Sequence, residues 1–131
     1  MTFRFDPARR LVLVEARIQG PTGESVLDLA VDTGASLTLI SPASLALVGC
    51  EIDPRAPRLA IMTGSRSESV PRVVLPRLTA LGRSLSNLSV LAHELPSAAS
   101  VHGLLGLDFF AGCRLELDFR AGTIRLEPPD A

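Results

Sequence analysis

Apolar positions along this chain come in short runs, each cut within a few residues by Gly, Pro or a polar pair. Little of it carries the 3.6-residue spacing of a helix, and most runs suit strands that alternate or bury both faces. Residues Arg10 to Ile18 form the first strand candidate, and Gly20-Pro21-Thr22-Gly23 is a turn cluster. Val26 to Val31 returns as the second arm of a hairpin and delivers Asp32 at its end, and Leu37 to Ile40 continues as another strand. Ser41-Pro42 predicts a helix start, because the hydroxyl can cap and Pro suits the first helical position. That helix is expected over Pro42 to Val48, stopping at Gly49.

The second half repeats the pattern. Residues 54–57 read as loop. Leu59 to Met62 and a segment beginning near Glu68 flank Thr63-Gly64-Ser65-Arg66, which reads as a hairpin tip. Arg72 to Ala80 and Ser84 to Ala92 predict a strand pair around Leu81-Gly82-Arg83, and Leu95 to Val101 a mobile loop. Gly103 to Leu107 is apolar and bracketed by glycine, Asp108 to Ala111 suits a short helix, and Arg114 to Phe119 with Thr123 to Glu127 closes the chain as a hairpin around Arg120-Ala121-Gly122. The expectation is a mostly β protein of many short strands, a small barrel or sandwich with one or two short helices. At 131 residues it is read as a single domain, 1–131, with its core about 10–127.

Composition narrows the functional classes. A net charge of −1, with 47% hydrophobic residues, fits an ordinary globular protein. All 13 basic residues are Arg, which removes Schiff-base lysine chemistry, and Arg9-Arg10 is the one adjacent basic pair, so no nucleic-acid footprint is expected. No apolar window reaches the roughly 18 residues a membrane helix needs, and MTFRFDPARR lacks the apolar core of a signal peptide. The expected setting is cytoplasmic and reducing, with a periplasmic or membrane-tethered precursor as the alternative. Cys50 and Cys113 fit no CxxC spacing and are read as buried thiols. His93 and His102 match no zinc spacing, so neither a metal nor another cofactor is expected.

The chemistry concentrates in Ala-Val-Asp-Thr-Gly-Ala-Ser, residues 30–36. A carboxylate that activates water must be rigid yet open to a cleft, and a strand end supplies both. Glycine two residues later lets the backbone approach close enough for peptide N–H groups to hold the acid. One carboxylate cannot be acid and base in the same step, whereas two that share a proton can. The chain has no second Asp-Thr-Gly. A two-fold homodimer, each copy bringing Asp32 near the axis, is the economical solution. Asp28 lies on the same strand parity, but roughly 13 Å away at about 3.3 Å per residue, and Asp118 reads as a hairpin residue.

Val31-Asp32-Thr33-Gly34-Ala35-Ser36 resembles the active-site loop of aspartic proteases, and Leu104-Leu105-Gly106 resembles the two hydrophobic residues and glycine that follow in single-domain, retropepsin-like members. The order of the flanking hairpins agrees from about Leu11 to Glu127, and the chain is most similar to the bacterial retropepsin-like type. The resemblance implies a retropepsin-like barrel acting as an aspartic endopeptidase, homodimeric, with a peptide or protein substrate. It implies that Asp32 is the catalytic acid/base, protonated on one chain and ionised on the other. By the same resemblance Thr33 bonds across the dimer axis, Gly34 donates an N–H to the carboxylate, and Ala35 and Ser36 complete the loop. Met62, Thr63, Gly64 and Ser65 fall where a flap folds over an extended peptide.

Two departures matter. Viral relatives usually place an acidic residue after the Ala, paired with an Arg after the second glycine; here those positions hold Ser36 and Leu107. Against pepsin-like enzymes, Ala35 lacks the hydroxyl that Thr or Ser would offer a neighbouring carboxylate; fewer hydrogen bonds to the charged form predict an activity optimum at mildly acidic or neutral rather than strongly acidic pH. Two other readings use the same residues: a catalytically silent dimeric module that binds peptides or serves as an adaptor, and a stand-alone β-barrel interaction domain with Asp32 on an exposed turn.

Overall fold

A computed structural model describes residues 1–63, 65–96 and 100–130. Ten strands and two short helices occupy it: β1 Thr2–Arg4, β2 Leu13–Gly20, β3 Gly23–Val31, β4 Leu39–Ile40, α1 Pro42–Leu47, β5 Arg58–Thr63, β6 Arg66–Ala80, β7 Arg83–Ala92, β8 Gly103–Leu105, α2 Leu107–Phe110, β9 Arg114–Asp118 and β10 Thr123–Glu127. Gly64, the expected hairpin tip, and residues 97–99 of the expected 95–101 loop lie outside the described residues.

The main sheet runs β2-β3-β8-β4-β7-β6, and β6 pairs back onto β2 through Ala16↔Ala80 to Gln19↔Arg77, closing a six-stranded barrel. Closure leaves those six strands without a free edge between them. Inside lie Ile18, Leu29, Leu75, Leu78 and Phe109, all fully buried. The alternation is clean on β2, where Val14, Ala16 and Ile18 point in and Glu15, Arg17 and Gln19 point out.

Local chemistry explains most turns. β2 and β3 meet through Pro21-Thr22, with Gly20 opposite Gly23. Leu81 and Gly82 both carry positive φ, 53° and 77°, the pair of angles a two-residue type I′ hairpin needs between β6 and β7. The Ser41 hydroxyl accepts from the Ser44 N–H at 3.2 Å and Pro42 opens α1.

Three elements differ from the sequence expectation. β6 runs unbroken for 15 residues through Pro71 and Pro76, although a break before Arg72 was expected. Pro71 sits where β6 stops pairing with β5 and begins pairing with β7, and Pro76 falls opposite Asn87, whose φ of 54° marks a gap in the ladder, so neither missing N–H costs a central bond. The expected Gly103–Leu107 run ends as strand at Leu105, and α2 starts one residue earlier than Asp108. β1 lies upstream of the first expected strand; it pairs with β10, which pairs with β9, in a separate three-stranded sheet that brings Phe5 into the core. Both cysteines are free, Cys50 buried and Cys113 half-buried against Arg83, and burial pushes the Cys50 thiol pKa up. Among the described residues no helix is long and apolar enough to cross a membrane.

Candidate active site

β8 is the keystone of the site. It lies parallel to β3 on one side (Leu29↔Gly103 to Val31↔Leu105) and antiparallel to β4 on the other (Leu39↔Leu104). The chain leaving β3 must therefore pass over the exit of β8 to reach β4, and residues 32–38 make that crossing. The Asp32 N–H donates to the Leu105 carbonyl at 3.0 Å, which extends the ladder by one step and fixes the acid at the strand end. The loop then turns tightly: the Gly34 N–H donates to Asp32 Oδ1 at 2.9 Å, and the Ala35 N–H donates to the Asp32 carbonyl at 3.2 Å. A Cβ on Gly34 would stand 3.2 Å from that carboxylate oxygen, so the approach favours glycine on steric grounds. Among the described residues no donor is aimed at Asp32 Oδ2, and the side chain is only half-buried.

Beneath the loop, a polar lock joins two segments far apart in sequence. The Asp108 carboxylate accepts from the Thr38 N–H at 3.0 Å on each oxygen, from Thr38 Oγ1 at 2.7 Å, and from the Phe109 N–H at 2.9 Å. The fully buried Thr38 hydroxyl in turn accepts from the Gly106 N–H at 3.1 Å. Leu107 N–H to Ala35 carbonyl (2.8 Å) and Asp108 N–H to Ser36 carbonyl (3.2 Å) complete the stitching. Thr38, the one residue of the crossing that is buried, thus has both its N–H and its hydroxyl matched. Gly106 is a position where only hydrogen fits, since a Cβ would meet the Leu37 carbonyl carbon at 2.7 Å and the Ala35 oxygen at 2.9 Å. Gly106→Ala should cost about 1–3 kcal/mol, the range for overpacking, read as a lower thermal midpoint; an unchanged midpoint would show that the loop yields freely.

Asp32, Gly34, Ala35 and Ser36 open into a cleft of about 1110 Å³ together with Met62 and Leu104. Leu105 and Gly106 lie under it, fully buried and buried respectively, and Thr33 is exposed outside its lining. Ser65 is exposed beyond the end of β5, while Gly64 and the side chain of Thr63 lie outside the described part. The floor is a small apolar cluster separate from the barrel core, built on Leu39, Val70 and Leu91, with Leu59 and Ile61 packed on it from the β5–β6 hairpin. At the rim stand Glu68, His93 and Glu94, with His93 Nε2 3.3 Å from Glu68 Oε2.

The sequence reading missed Thr38, Asp108 and this rim. Asp28 points to solvent and its backbone N–H donates to His102 Nδ1 at 3.0 Å, whereas Asp118 Oδ1 accepts from Arg120 and Ala121 in the β9–β10 turn. Neither reaches the cleft. The viral-type acid–arginine pair is absent, Ser36 and Leu107 both being exposed, and the Thr38–Asp108 lock holds the same two segments together instead.

A sequence-family profile described as "Aspartyl protease" matches residues 14–109, and the chain belongs to that family. Among solved structures it is similar to a retropepsin-like aspartic protease from Rickettsia conorii, with a TM-score of 0.71 at 14% identity over 98% of this chain and 89% of the other. It is also similar to the EIAV protease complexed with the inhibitor HBY-793, with a TM-score of 0.51 at 17% identity over 79% of this chain and 88% of that one. These likenesses show the retropepsin-like fold. No curated protein sequence matches.

Proposed function

We propose that residues 1–131 form one protease domain that works as a homodimeric aspartic endopeptidase, with the two Asp32 carboxylates as its acid–base pair. The observation that carries this reading is the state of Asp32: held through Oδ1 by the Gly34 N–H, open at Oδ2, and facing a peptide-sized cleft at the end of β3. A lone acid so placed is half of a proton-sharing pair, and a two-fold axis passing beside the loop supplies the other half.

With both copies assembled, one Asp32 is ionised and the other protonated. The ionised carboxylate takes a proton from water while the oxygen of that water bonds to the peptide carbonyl carbon. The protonated partner gives its proton to the carbonyl oxygen, so a neutral tetrahedral diol forms. On collapse the first Asp32, now protonated, gives its proton to the peptide nitrogen while the second takes one from a diol hydroxyl, so the carbonyl re-forms, the C–N bond breaks and the pair returns to its starting charge. Thr33 sits at the exposed edge of the loop, where it would brace the two copies. Met62, Thr63, Gly64 and Ser65 would close over the substrate, which lies extended and adds a strand beside the β5–β6 hairpin.

Incubation with a mixed peptide pool tests the reading. Cleavage is expected, with specific activity falling on dilution as the dimer dissociates, and a peptide mimic with a hydroxyl in place of the scissile carbonyl should inhibit it. A dimer that binds peptides without cutting them would overturn the reading, as would activity from a species that remains monomeric.

A further inference from the structure

The cleft is chemically lopsided. Its floor is aliphatic, but the charged groups on its rim are carboxylates: Glu68, Glu94 and the catalytic candidate Asp32. No arginine stands among the described residues lining it, although the chain carries 13. Arg66, two residues from Glu68 on the same face of β6, lies outside the lining, and Arg58 is turned to the other side of the hairpin, where it donates to the Ser69 carbonyl at 2.6 Å. The nearest compensating group is His93. Its Nε2 lies 3.3 Å from Glu68 Oε2 and holds that carboxylate in place, and this one imidazole faces three carboxylates around the cleft.

Position adds to charge. Glu68 lies opposite Ile61 on the hairpin, next to the aliphatic floor, and is half-buried, while His93 is anchored at the end of β7 by its own N–H on the Ile40 carbonyl at 3.1 Å. Glu94 follows directly on the rim. A negative potential focused in a cleft with low-dielectric walls attracts a cation, and a long aliphatic stem tipped with charge matches a floor of leucines ending in carboxylates.

Resting on the endopeptidase reading, we propose that this cleft selects peptides carrying arginine or lysine beside the apolar residue it buries, and that Glu68 and Glu94 are the specificity-determining groups. Arginine suits the site better than lysine, since its planar fork can bond a carboxylate with two N–H groups.

The test compares matched peptides with an apolar centre that carry either arginine or its neutral isostere citrulline at each flanking position. In the wild-type protein the arginine peptide should show a kcat/KM about three- to tenfold higher at one flank, shrinking with added salt as expected for half-exposed charges. Glu68→Gln with Glu94→Gln should bring the two peptides to parity, and Glu68→Lys should reverse the preference toward glutamate-bearing peptides. Equal cleavage of arginine and citrulline peptides by wild type, at every flank, would overturn the proposal while leaving the protease reading intact. The same pairs are titrated by fluorescence anisotropy against Asp32→Asn protein, which reads the subsite without chemistry. Tighter arginine binding there, even if wild type cuts nothing, would support the subsite and sink only the protease; equal or absent binding would count against the subsite.

Discussion

Replacing Asp32 with asparagine should lower peptide cleavage by on the order of a thousandfold, the scale of a lost acid–base pair, with the fold retained. The retention follows from geometry: Asp32 Oδ1 accepts the Gly34 N–H at 2.9 Å, and an asparagine carbonyl can accept the same bond. Peptide-pool assays and sedimentation of the variant check both halves. A sharper form of the experiment uses subunit exchange. If each active centre needs a carboxylate from both copies, mixing equal amounts of wild type and Asp32→Asn leaves about one quarter of the dimers fully active, by random pairing. Activity near one half would mean that each chain acts alone, and the paired mechanism would fail with the fold untouched.

The second large effect lies in the lock under the loop. Asp108→Ala removes the acceptor for the buried Thr38 N–H and hydroxyl at once and leaves both donors stranded. Hydrogen bonds to a charged acceptor contribute about 1.5–3 kcal/mol, and a buried donor without a partner costs about 1–3 kcal/mol, so a loss of roughly 3 kcal/mol is expected. For a domain of this size that corresponds to a thermal midpoint about 10 °C lower. Asp108→Asn keeps one carbonyl oxygen for Thr38 and should fall between. Calorimetry decides it: a shift of only a degree or two for Asp108→Ala would show that water replaces the carboxylate at little cost. Activity should fall more steeply than stability, because the loop that loses its floor is the one carrying Asp32.

Much of the architecture was legible because it is written in local chemistry. Gly20-Pro21-Thr22-Gly23 and Arg120-Ala121-Gly122 punctuate hairpins with residues chosen for their backbone angles. Ser41 and Pro42 mark a helix start by the same local logic. Asp-Thr-Gly and Leu-Leu-Gly placed the family, which the profile match and the fold support. What escaped is non-local. The Asp108–Thr38 bond joins positions 70 apart, and nothing in Gly-Leu-Asp-Phe says that the carboxylate turns back under the earlier loop rather than out to solvent. The rim formed by Glu68 and His93 depends on the register of β6 against β5 and β7, which a one-residue slip would destroy. β1 was missed because three residues are too few to show an alternation.

The position of β8 between β3 and β4 sets an order of events during biosynthesis. Neither neighbour can complete its pairing until residues 103–108 have been made, so the segment with Asp32 waits without support while most of the chain is translated. An incomplete polypeptide on the ribosome would thus carry Asp32 without the Leu105 carbonyl that holds it at the strand end.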